Sequence, residues 1–193
     1  MVWMGKLQGH PSIRRVYGPD LMLNLCEHSR AEGFSHFLYG GVRGIADVLA
    51  EQLRERFPGL KIVGTYTPPF RPLNDLELQD LQQRVRQGRP DFFWVGLSTP
   101  KQERFMAQYI SMLPEARIFI GVGAAFDLLT GRVRQAPRWM QGAGLEWLFR
   151  LTQEPRRLAR RYLVNNPTFI WRAAGQLLGI RNYTCGNDLG RPI

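Results

Sequence analysis

Two kinds of apolar pattern take turns along this chain. "FSHFLYGG" (34–41), "LKIVGTYTPPF" (60–70), "DFFWVGL" (91–97) and "ARIFIGVGAAFDLL" (116–129) carry short, nearly continuous apolar runs that end in glycine or proline. Between them lie segments with apolar residues three and four apart. These are "VRGIADVLAEQLRERFPG", stopped by Pro58-Gly59, "NDLELQDLQQRVRQGRP", with an Asn-Asp start and a Gly-Arg-Pro stop, and the stretch from Pro100 to about Leu113. The first pattern predicts strands and the second amphipathic helices. Strands that alternate with helices of this length predict parallel βαβ units. Apolar runs without alternation predict a sheet covered on both faces, the strand at 116–129 buried like the others. The expected fold class is α/β, a Rossmann-like parallel sheet flanked by helices.

Ligands of such sheets sit in the crevice beyond the carboxyl ends of the strands. Three turns rich in small residues fall there: Gly40-Gly41, Gly96 to Thr99, and Gly121 to Ala125. Each lets a ligand approach the backbone, and each is expected to open a helix whose N-terminus attracts phosphate. Singly, a glycine after a strand is ordinary turn chemistry; three on one edge favour a nucleotide or phosphosugar site. None spells G-x-G-x-x-G or a Walker A loop, so dinucleotide and ATP chemistry are not indicated.

Composition changes the picture at the C-terminal end. The 193 residues suffice for one core with a smaller appendage, and 44% apolar and 11% aromatic content mark a folded chain. A net charge of +10, carried mostly by arginine, favours acidic partners. Two cysteines fit a reducing compartment. No stretch approaches the roughly 20 apolar residues of a spanning helix, and no leader is visible.

The charge is concentrated after Gly131. From 132 to 161 eight arginines face two acids, interleaved with Trp139, Met140 and Trp147. The expected division is therefore 1–131 as the core and 132–193 as a basic, aromatic-rich helical appendage. Such a segment suits an anionic bilayer surface; a solvated basic helix or a nucleic-acid patch is the alternative. Arg150, Arg157 and Arg160 share a face if one helix covers them, with Pro155 standing between.

Three blocks carry a resemblance: "LKIVGTYTPPF", "VGLSTPKQE" and "IGVGAAFDLLTGRVRQAPRWMQGAGLEWLFRLTQEPRRLARRYLVNNP". They resemble the bacterial WecG/TagA/CpsF glycosyltransferases from about Arg14 to Pro167. The resemblance implies transfer of a sugar, commonly of N-acetylmannosamine type, from a UDP-sugar to an undecaprenyl-diphosphate-linked acceptor, with inversion. It implies surface-polymer pathways (teichoic acid linkage units, enterobacterial common antigen, capsule or exopolysaccharide). It also implies a peripheral location at the cytoplasmic face of the membrane and self-association. The UDP-sugar is a donor substrate; no separate cofactor is expected, and no nucleic-acid partner.

The resemblance places the Pro-Lys-Gln-Glu loop in the UDP-sugar pocket, with Gln102 contacting donor or acceptor. Its amide can both donate to and accept from sugar hydroxyls. Gly40, Gly41, Gly96, Thr99, Gly123 and Ala124 are the expected backbone contacts of the donor. Lys101 and Glu103 read as an exposed helix start with a charge pair. Asp127 either accepts from a ribose or sugar hydroxyl or is a plain carboxylate favoured at a helix N-terminus. Pro68, Pro69 and Phe70 line the pocket or form a rigid loop, on equal terms.

No Asp-x-Asp pair is present to hold a metal on the diphosphate, and "NDLE" (74–77) falls inside a predicted helix. Arginines can neutralise leaving UDP instead, through bidentate charge-assisted hydrogen bonds. The resemblance puts Arg15 in the pocket, and Arg150, Arg157 and Arg160 in an appendage that closes over the site at the membrane. It places the general base, an aspartate of an Asp-Gly motif, ahead of the segment aligned with "MVWMGKLQGHPSIRRVYGPDLM", and so implies an N-terminally shortened member: a fragment, a chain with a miscalled start or a degenerate copy. Asp20 reads as a helix N-cap instead, and His10, His28 and His36 as surface or structural residues. A UDP-sugar-binding protein without turnover and a basic nucleic-acid-binding module are the alternatives.

Overall fold

The four apolar runs become β1 (Ser35–Gly40), β2 (Lys61–Tyr66), β3 (Phe92–Gly96) and β4 (Ile118–Gly121). They form one all-parallel sheet in the order β2-β1-β3-β4. The computed structural model describes residues 5–6, 9–13, 16–142, 144–153 and 155–177, without the side chains at 157, 160–162, 164, 166 and 177. The chain divides into two compact units, Met1–Gln135 and Ala136–Ile193.

In the first unit α1 (Gly18–Glu32) precedes β1, and α2 (Ile45–Arg56), α3 (Asp75–Gly88) and α4 (Lys101–Tyr109) link successive strands. A short 3-10 turn (Ile110–Met112) extends α4, and α5 (Ala125–Leu129) follows β4. Chain order and handedness dictate the layers. From β1 the chain steps outward to β2, then returns across β1 to β3, and right-handed crossovers in opposite directions lie on opposite faces. The two cores follow this rule. Leu38, Trp94 and Ile62 pack with α1, α2 and α5 on one face through Met22, Leu49, Leu53 and Phe126. Phe37, Tyr39, Phe93 and Val95 pack with α3 and α4 on the other through Leu81, Val85, Phe105 and Tyr109. The second core is aromatic, Tyr39 and Phe105 stacking at 4.1 Å between ring centroids.

Local signals set the helix ends. Asn74 caps α3 by accepting from the Glu77 N–H at 2.8 Å, while the Glu77 carboxylate accepts from the Asn74 N–H at 2.9 Å. This capping box is what the Asn-Asp start signalled, and Arg71 holds the same carboxylate with two hydrogen bonds of 2.7 and 2.8 Å. α1 departs from expectation: it begins at Gly18 with Tyr17 as its cap, so Asp20 lies in the first turn. There its charge is favoured by the macrodipole without a capping bond.

β4 also differs from the sequence expectation. It is an edge strand, with Ile118 half exposed and Phe119 and Ile120 partly covered. An apolar run reports the need for cover, but not which strand ends the sheet.

Cys26 and His36 are fully buried. His36 Nδ1 accepts from the Trp94 indole N–H at 2.9 Å, and the ring stacks on Phe92. Burial pushes the imidazole down to about 4, against the raising influence of Asp91. His36 is thus a neutral core residue. Asp91 accepts from Ser35 N–H and Oγ at 2.8 and 2.9 Å and from Arg117 at 2.9 Å, at the amino end of the sheet. His28 Nδ1 hydrogen-bonds to the Asn24 carbonyl, one turn back on its own helix.

The second unit contains α6 (Arg138–Gly142), α7 (Glu146–Gln153) and α8 (Pro155–Leu177). Pro155 opens α8, a position where its missing N–H is harmless. Arg150 therefore sits on one helix and Arg157 and Arg160 on the next, and the single helical face expected for the three does not form. Trp139, Ile170 and Trp171 are largely exposed and Phe169 nearly half exposed. No helix among the described residues is long and apolar enough to cross a membrane.

Candidate active site

The strand order β2-β1-β3-β4 puts a topological switch point between β1 and β3. The chain leaves β1 toward α2 on one face and leaves β3 toward α4 on the other, the arrangement that in such sheets marks the ligand crevice. The glycines predicted there meet across it. The Gly41 N–H donates to the Gly96 carbonyl at 3.0 Å. A Cβ on Gly40 would lie 2.5 Å from the Gly96 oxygen, and Gly40 holds φ at +137°. A Cβ on Gly96 would fall 2.7 Å from the Phe126 ring. Only hydrogen side chains allow this approach.

The third turn joins through Gln102. Its Oε1 accepts from the Gly123 N–H at 2.9 Å, tying the start of α4 to the turn after β4. Its Nε2 donates to Glu103 Oε1 at 3.0 Å, and the Thr99 hydroxyl donates to the same oxygen at 3.2 Å. The amide lies so close over Gly121 that a Cβ there would come 2.9 Å from Nε2. Glu103 sits in the first turn of α4. Its carboxyl is held below the usual range by its own backbone N–H, then by Gln102 and Thr99.

The structure therefore gathers Gly40, Gly41, Gly96, Thr99, Gln102, Gly123 and Ala124 at one edge of the sheet. Asp127 is also there, on α5, with its Oδ1 accepting from Arg132 at 3.2 Å. α5 has only five residues, so the third turn does not lead into a helix with an appreciable dipole. α2 and α4 do start at this edge; neither N-cap residue makes a side-chain capping bond, and the leading amides of Ile45, Lys101 and Gln102 meet the loop carbonyls of Val42 and Ser98 while the Glu103 N–H meets its own carboxylate. Arg15 lies outside the described residues. Arg150 lies half-buried in α7, and Arg157 and Arg160 occupy the first turns of α8.

Two contacts were not anticipated. Lys101 places Nζ over the Phe70 ring, 5.3 Å from its centroid, where a charge pair with Glu103 was expected. Phe70 is 86% exposed beside this lysine, so the Pro-Pro-Phe loop reaches the rim of the crevice. Glu103 turned out to organise the loop, a role that the spacing Thr-x-x-x-Glu could have suggested as an i,i+4 contact. Among the described residues no cluster of histidine, cysteine and carboxylate side chains is arranged to hold a metal ion. A shallow hollow of about 210 Å³ beside Asp47, Arg54 and Thr65 lies along the β2 edge and not at the switch point. Within it Thr65 bonds Asp47 and Arg54 bonds the Ile62 carbonyl.

Compared with known proteins, residues 1–183 match the glycosyl transferase WecG/TagA/CpsF family. The chain belongs to this family. Among curated relatives it is 29% identical over 160 residues to an N-acetylglucosaminyldiphosphoundecaprenol N-acetyl-beta-D-mannosaminyltransferase of Bacillus spizizenii. The aligned region is 83% of this chain and 60% of that relative, so the chain spans about three fifths of the relative's length. The Gln102 loop and the switch-point turns thus belong to a WecG/TagA/CpsF sheet.

Proposed function

We propose that this protein is an inverting, metal-independent glycosyltransferase. It moves a sugar of N-acetylmannosamine type from a UDP-sugar to an undecaprenyl-diphosphate-linked acceptor in surface-polymer synthesis. The observation that carries the reading is the meeting of three small-residue turns at the switch point of a sheet of this family. The positive dipole end of α2, which starts at this edge, suits a phosphate. Asp127 and Gln102 supply acceptors and donors for hydroxyls. Inversion needs a single in-line displacement at the anomeric carbon, with UDP leaving opposite the incoming hydroxyl. Stabilising the departing diphosphate is then the main electrostatic task, which the family resemblance gives to Arg15, Arg150, Arg157 and Arg160.

The second unit serves as the bilayer contact. Exposed Trp139, Trp147, Trp171 and Phe169 stand among the arginines, a combination that partitions into an anionic interface. This holds the protein at the cytoplasmic membrane surface, where the acceptor lipid resides.

The test is transfer of label from UDP-N-acetylmannosamine to a lipid-diphosphate N-acetylglucosamine acceptor, run beside calorimetric titration with UDP. Label in the lipid product, with the anomeric configuration inverted, supports the reading. UDP binding without transfer supports a binding protein. Absence of both, with the chain folded, removes the proposal.

A further inference from the structure

The carboxylate of Glu103, exposed in the first turn of α4, takes two side-chain hydrogen bonds at the edge of the crevice. Both arrive at one oxygen, from Gln102 Nε2 at 3.0 Å and from the Thr99 hydroxyl at 3.2 Å. Glu103 is largely exposed, and the two residues it holds are the ones that border the crevice.

We propose that Glu103 is a positioning residue for the glycosyl-transfer site, one that sets the orientation of the Gln102 carboxamide and through it the turn after β4. A carboxamide has two nearly equivalent ends, one accepting and one donating. Gln102 can place either end toward Gly123, but only the oxygen end can take the Gly123 N–H. An ionised carboxylate has no proton to give, so Glu103 tolerates only the NH2 end. The two constraints agree and select one rotamer. With the carboxyl held low, the selection persists throughout the neutral range. Gly121 leaves the space in which the amide lies, because a Cβ there would sit 3.0 Å from Gln102 Cδ. The chain of contacts runs from Thr99 to Glu103, to Gln102, to the Gly123 amide, and joins the turns after β3 and β4. A ligand entering the crevice then meets turns that are already in place, which lowers the ordering cost of binding.

The inference rests on the UDP-sugar reading of the crevice, and the experiment separates the two. Four forms of the full chain are compared: wild type, Glu103→Gln, Gln102→Ala and the double variant. Glutamine keeps the shape of Glu103 but loses the charge and can present a donor as well as an acceptor, so of the two constraints on the Gln102 carboxamide only the Gly123 N–H remains. Backbone amide exchange of the peptide covering 118–126 needs no ligand. It is expected to quicken in Glu103→Gln, to quicken in Gln102→Ala, and to be no faster in the double variant than in Gln102→Ala. UDP affinity by calorimetry should follow the same pattern. Glu103→Gln should weaken binding roughly tenfold, about the net effect of one charge-assisted hydrogen bond. The same change on the Gln102→Ala background should add nothing. Thermal midpoints monitor the fold throughout.

Unchanged exchange in Glu103→Gln would overturn the proposal. So would additive effects in the double variant, because Glu103 would then act independently of Gln102. Failure of wild type to bind UDP would count against the donor assignment alone, and the exchange pattern would still decide the positioning role.

Discussion

Gly40→Ala tests whether the crevice depends on close backbone approach. Gly40 ends β1 with φ at +137°, a region that alanine reaches at a cost of about 1–3 kcal/mol. The new Cβ would stand 2.5 Å from the Gly96 oxygen and 2.6 Å from its carbon. Both atoms are backbone in a buried, paired strand, so no rotamer change relieves the overlap. Overpacking of this kind costs about 1–3 kcal/mol. The two effects together come to about 4 kcal/mol, a large part of a typical folding stability of about 5–15 kcal/mol. For a chain of this size that lowers the thermal midpoint by roughly 8–16 °C.

Gly59→Ala is the control. It has φ at +91° but no atom within 4 Å of its Cβ, so only the backbone cost of about 1–2 kcal/mol applies. Denaturant titration followed by circular dichroism compares the two variants at equal m-value. Equal destabilisation would refute the reasoning, since it would mean that the β1 and β3 turns can separate without penalty.

Three further outcomes follow from named groups. His36 has a folded pKa of about 4 against about 6.5 when unfolded, so the unfolded chain binds more protons between those values. Stability should therefore fall by about 3 kcal/mol as pH drops from 6.5 toward 4. His36→Gln, compared by urea titration at several pH values, should flatten that slope. Gly121→Ala has no positive-φ penalty but displaces the Gln102 amide, so UDP affinity measured by calorimetry should drop while the thermal midpoint moves little. Vesicles rich in phosphatidylglycerol should retain the protein in sedimentation at low salt and release it as salt rises. Replacing Trp139 and Trp171 by alanine should weaken retention at every salt concentration.

Much of this protein is written in local pattern. The four apolar runs and the three intervening amphipathic periods set strands and helices, because each is decided by the faces a short segment must bury. The Asn74 start and the Pro58-Gly59 stop did the same for helix ends. The C-terminal charge and the Pro-Lys-Gln-Glu block were visible without any structure. Even the crevice was legible as three glycine turns, since only the carboxyl ends of parallel strands bring such turns to one edge.

What the linear pattern could not supply was order across the sheet. That order made β4 an edge strand with Ile118 half exposed and placed the switch point between β1 and β3. It also brought Gly96 to Gly41 and Gln102 to Gly123, pairs far apart in the chain whose contact no local window contains. For Lys101 and Glu103 the sequence offered a simple charge pair. The fold gave Lys101 the Phe70 ring and gave Glu103 the loop. Burial and hydrogen bonding of a single residue depend on which distant elements the chain brings beside it, and that is a property of the packed whole.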